Sequence, residues 1–88
     1  MTIKDALKTL EAMHASAANK DQKDMETVAL GFGFDVYEGK NHTTYKHPVY
    51  GILIGQWPRH GEVYPVYVRK LINRIDQLDR LEKEKKHG

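Results

Sequence analysis

Ile3, Ala6, Leu7, Leu10 and Met13 recur three and four residues apart, so residues 3–15 present one apolar face and are expected to form an amphipathic helix. Thr2 with Asp5 resembles a capping box at its start. The pattern lapses in "ASAANKDQ", a small and polar connector in which Asn19 and Gln22 suggest a second capping box. A helix over about residues 20–31 is expected next, with Met25, Val28, Ala29 and Phe32 as its apolar stripe. The two glycines of "GFGF" predict its end, because glycine takes the left-handed C-terminal conformation without strain.

From there the period shortens to two. "FDVYE" (34–38) alternates apolar and polar residues, "HTTYKH" (42–47) is dense in β-formers, and "YGILIGQW" (50–57) is a third β-rich run. Gly39 and residues 48–51 mark the turns between them. After the polar loop "PRHGEV", Pro65 suits the first position of a last helix, where its missing donor has no consequence. Val68, Leu71, Ile72, Ile75 and Leu78 form that helix's buried stripe. Asp76 with Arg80, Asp79 with Lys83 and Glu82 with Lys86 are acid-first i,i+4 pairs that extend it to about residue 84, with "KEKKHG" fraying. The order helix, helix, three strands, helix predicts an α+β domain: a three-stranded antiparallel sheet with helices on one face and the other face open.

Eighty-eight residues make one domain with one modest core. With no cysteine, disulfides, thiolate zinc sites and cysteine nucleophiles are excluded together, which fits a reducing compartment. No apolar run approaches the ~18 residues of a membrane span, and the N-terminus does not read as a signal peptide, so a cytoplasmic location without membrane partners is expected. Charge is distributed unevenly. Residues 1–38 carry four lysines against seven acids, net −3, whereas residues 39–88 carry ten basic residues against five acids, net +5. That polarity suits a polyanion bound on one face, or simply a solvated surface.

The basic half also holds four of the five histidines. Strand side chains alternate, so His42 and His47, five apart, fall on opposite faces and cannot share a metal. Tyr45 suits the core, which assigns Thr43, Tyr45 and His47 to the helix-facing side and His42, Thr44 and Lys46 to the open side. A histidine there can exchange protons near neutral pH, and Lys46 is the candidate fixed charge for a phosphate; equally, a half-exposed strand histidine can be plain polar surface. His47 reads as structural, and neither His14 nor His87 is expected to matter. In "WPRHG" (57–61), Arg59 and His60 lie among Trp57 and Tyr64, an arrangement that suits phosphates and unstacked bases or else a turn beside core aromatics.

Taken together, "GF" (Gly33, Phe34), "NHTTYKHP" (Asn41 to Pro48), "PRHG" (Pro58 to Gly61) and "YVRKLINRI" (Tyr67 to Ile75) resemble, in order and spacing, the HicA-family toxins of bacterial toxin–antitoxin systems. The family signature is Gly-Ser-His-x-x-Tyr-x-His-Pro. The likeness spans about residues 20–78, with residues 1–19 as an N-terminal extension helix and 79–88 as helix end and tail. It implies a fold similar to a double-stranded-RNA-binding domain, metal-independent endonucleolytic cleavage of mRNA through one histidine, here His42, and a HicB-type antitoxin as partner. No cofactor is implied. Lys40, Lys46, Arg59 and His60 are the expected RNA-binding or supporting residues, His60 or Arg59 as phosphate binder or proton donor. The chain departs from the signature at Lys40-Asn41, which stand where the family has Gly-Ser, the glycine lying one place earlier at Gly39. The alternative is a non-catalytic RNA-binding or protein-docking module of the same fold.

Overall fold

A computed structural model describes residues 3–87, with side chains through residue 85. Its order is α1 (Ile3–Ala15), α2 (Gln22–Gly31), β1 (Asp35–Glu38), β2 (His42–Lys46), β3 (Ile54–Pro58) and α3 (Pro65–His87). The α+β expectation therefore holds, with the strands antiparallel in the order β1-β2-β3.

α1 forms over the expected residues, but of its apolar face Ala6 and Met13 are buried whereas Ile3 and Leu7 are exposed, because the rest of the core meets the helix along the Ala6–Met13 side; the Thr2 cap lies outside the described residues. α2 starts two residues later than expected. Its capping box is made by Asp21 and Asp24, each carboxylate accepting from the other's backbone N–H, at 2.9 and 3.1 Å. Asp21 takes the extended conformation an N-cap needs, while Asn19 is left-handed (φ 58°) in the connector, which Asn tolerates better than most residues. At the other end Gly33 has φ +86° directly after the helix cap, the left-handed position expected of "GFGF".

The third strand is shorter than the β-rich run suggested. Residues 50–53 turn instead, with the Leu53 N–H donating to the Tyr50 carbonyl at 2.9 Å, and pairing begins at Ile54. α3 runs past residue 84 to His87, so most of the segment expected to fray is helical. Of its three anticipated ion pairs, Asp79–Lys83 forms at 3.0 Å. Asp76 and Arg80 form no ion pair with each other, the Lys86 side chain lies outside the described residues, and Glu82 accepts from the Tyr50 hydroxyl at 3.4 Å.

Helices cover one face of the sheet. The core joins Met13 of α1, Met25, Val28 and Ala29 of α2, Phe34, Tyr45 and Trp57 at the sheet, and Val68, Leu71, Ile75 and Leu78 of α3. Tyr45 and Trp57 stack with centroids 5.5 Å apart, and Phe34 meets Tyr45 edge-on. Tyr45 fits because its cross-strand partner is Gly55: any side chain there would overlap the phenol ring. Among the described residues no helix is long and apolar enough to cross a membrane.

Candidate functional site

Burial along β2 alternates as its sequence predicts. His42 and Lys46 are exposed and Thr44 is half-buried, whereas Thr43, Tyr45 and, just past the strand, His47 are buried. The register arranges the open face in three rows: His42 opposite Pro58; Tyr37, Thr44 and Gln56; Asp35, Lys46 and Ile54. At about 3.3 Å per residue, alternate positions on a strand are about 7 Å apart. His42 and Lys46 thus share a face but stand about 13 Å apart along it. Lys46 is not the cation beside His42 that alternation alone suggested; its stem leans the other way, over Gly51.

The turn that delivers His42 is held from outside. Two-residue hairpin connections normally use left-handed residues, yet Lys40 and Asn41 both keep negative φ. Instead the Gly39 N–H donates to the His42 carbonyl at 2.8 Å, and a Cβ on residue 39 would come within 2.8 Å of that same oxygen, so the close approach needs glycine. Arg59 then clamps the turn from β3's side. Its Nη1 donates to the Gly39 carbonyl at 2.8 Å, its Nη2 lies 3.6 Å from Glu38, and its backbone N–H donates to the Asn41 carbonyl at 3.0 Å. Arg59, expected as an RNA contact, spends its guanidinium on the loop that carries His42.

His60 follows on an exposed loop with Gly61 left-handed at φ +83°. Gln22 fastens this loop to the start of α2, its side-chain amide donating to the carbonyls of Pro58 (3.3 Å) and Gly61 (2.8 Å). Lys40, His42, Arg59 and His60 are therefore gathered at one end of the sheet, and Lys46 lies at the other.

His47 is structural. Its Nδ1 accepts from the backbone N–H groups of Val49 and Tyr50, at 3.1 and 3.2 Å, and its ring packs edge-on against Phe34. Trp57 is 1% exposed and is a core residue, unable to stack on a base, whereas Tyr37 and Tyr64 are each 56% exposed. No group of three or more metal-ligating side chains occurs among the described residues. The Gln22 tether, the Arg59 clamp and the place of Tyr37 on the open face are not legible in the sequence. The first two act over 36 to 39 and 20 residues of sequence with no local signature, and the third acquires its neighbours only through the register. Neither a protein-family model, nor a curated protein, nor a solved structure matches the chain.

Proposed function

We propose that the protein is a metal-independent RNA endonuclease and the toxin of a HicA-type toxin–antitoxin pair, with His42 as its catalytic base. The supporting observation is the placement of His42: an exposed imidazole on the uncovered sheet face, on a turn fixed by Gly39 and clamped by Arg59. In this reading His42 removes the proton of a ribose 2′-hydroxyl. The freed oxygen attacks the adjacent phosphorus, the bond to the 5′-oxygen breaks, and that oxygen takes a proton from His60. Lys40, in the turn itself and exposed, is the candidate partner for the phosphate. Because the nucleophile is the substrate's own hydroxyl, no metal-bound water is needed. A HicB-type antitoxin would silence the enzyme by covering the same face.

A positioned general base contributes about 10²- to 10⁴-fold. His42→Ala should therefore lower cleavage of end-labelled RNA, in excess chelator, at least about a hundredfold while circular dichroism is unchanged. Undiminished cleavage by the folded variant would refute the assignment. A second reading, a non-catalytic RNA-binding or docking module, draws on the commitment of the Arg59 guanidinium to Glu38 and Gly39 rather than to the open face. RNA binding with steep salt dependence and no product from the native protein would favour it.

A further inference from the structure

The open face carries a second feature, at the end away from His42. Asp35, Tyr37, Lys46 and Val49 line a concavity of about 480 Å³ that the catalytic proposal does not use. Tyr37 presents 56% of its surface and Val49 65%, so a flat phenol and an apolar wall flank the space. The Tyr37 hydroxyl donates to Asp35 Oδ2 at 3.4 Å. Lys46, cross-strand partner of Asp35, has neither an ion pair nor a hydrogen bond from its side chain among the described residues. A planar platform, an acceptor-only carboxylate and a free cation are together what a nucleotide requires: a surface for the base, a partner for its donor edge and a charge for its phosphate.

We infer that this concavity is a nucleobase subsite that selects an unpaired base next to the cleaved bond, with the base stacked on Tyr37, its donor edge on Asp35 and a phosphate on Lys46. It rests on the nuclease reading and extends it to single-stranded RNA, because a base inside a duplex cannot present its face to a ring. Tyr37 is one row and Lys46 two rows from His42, about 7 and 13 Å along the strand, a separation that neighbouring nucleotides of one strand can span. Guanine is the preferred base. Its adjacent N1–H and N2–H groups use both oxygens of a carboxylate, as a bidentate partner does, whereas uracil offers one donor.

The test titrates the full-length protein with guanosine 3′-monophosphate or uridine 3′-monophosphate, neither of which holds an internucleotide bond to cleave, and follows backbone amide chemical shifts. Saturable binding of the guanosine nucleotide is expected, with shifts centred on β1 and the end of β2. Tyr37→Ala should weaken it about tenfold and Tyr37→Phe should not, since stacking needs the ring and not the hydroxyl. Asp35→Asn should erase the preference for guanosine, and Lys46→Gln should weaken both nucleotides alike. No saturable shift at millimolar nucleotide, or equal affinity with Tyr37→Ala, overturns the subsite. Cleavage by the native protein reads the other question separately: nucleotide binding through Tyr37 with no His42-dependent cleavage would overturn the nuclease reading and leave the subsite standing.

Discussion

Tyr45 sits in the core where the sheet meets the helices. It is fully buried, stacked on Trp57, and seated where Gly55 leaves room, yet its hydroxyl has no hydrogen-bond partner among the described residues. Burial pushes that hydroxyl up to about 12, with Arg74 pulling it partly back. An unfolded tyrosine titrates near 10, so between about pH 10 and 12 the unfolded chain releases this proton while the folded chain keeps it. The contribution is fully present below pH 10 and is lost as pH rises toward 12, a change of about 2 to 3 kcal/mol. Tyr45→Phe should match or exceed the native stability by about 1 kcal/mol at pH 9, since it removes an unsatisfied buried group. Its advantage should then grow by about 2 kcal/mol at pH 12. Urea unfolding at the two pH values measures this, and a constant difference would contradict it. Gly55→Ala should cost at least about 2 kcal/mol, since the ring is held by Trp57 and Phe34 and cannot retreat. Tyr45→Phe should not rescue it, because ring carbons as well as the hydroxyl lie in the space the new methyl would fill.

At the scale of elements, the β1–β2 hairpin depends on β3. Its turn lacks the left-handed residues that would make it self-supporting, and Arg59 closes it through one carbonyl and one carboxylate. Arg59→Ala should therefore lower RNA cleavage about tenfold by loosening His42, with a stability loss of only about 1 kcal/mol for a partly exposed pair and its charged hydrogen bond. Glu38→Gln, which leaves the Gly39 contact in place, should reduce cleavage less. Equal activity of native protein and Arg59→Ala, in single-turnover assays, would show that the turn holds itself. The opposite end of β2 is secured differently, by the ring nitrogen of His47 accepting two backbone N–H groups of the following turn. His47→Ala leaves both donors without that partner and should lower the unfolding free energy by about 2 kcal/mol; because His47 and Val49 both line the concavity, nucleotide binding by the folded protein should weaken as well. Thermal melting beside the nucleotide titration separates the two effects.

For the molecule as a whole, α1 is an integral layer rather than an appendage. Ala6 and Met13 are buried, Met13 belongs to the central cluster, and Leu10 and Ala17 pack against it. Removing a buried methionine side chain alone typically costs about 2 to 5 kcal/mol, against about 5 to 15 kcal/mol for a whole domain. A chain shortened to residues 20–88 should therefore lose its cooperative melting transition, and a sharp transition in that fragment would show that the remaining layers suffice. What the sequence alone determined is whatever is encoded within a few neighbouring residues: the order of helices and strands, the glycine stop after α2, the alternation that exposes His42 and buries Tyr45 and His47, and the basic half of the chain. The capping box expected of Asn19 with Gln22 falls two residues early: Asn19 and Asp21 both suit an N-cap, and backbone conformation selects Asp21, with Asp24 as its partner. Only the tertiary structure decided the register, and with it the distance between His42 and Lys46, the neighbours of Tyr37, the clamp of Arg59 and the tether of Gln22. Those contacts join residues far apart in sequence, and no local pattern specifies a partner that packing alone brings near.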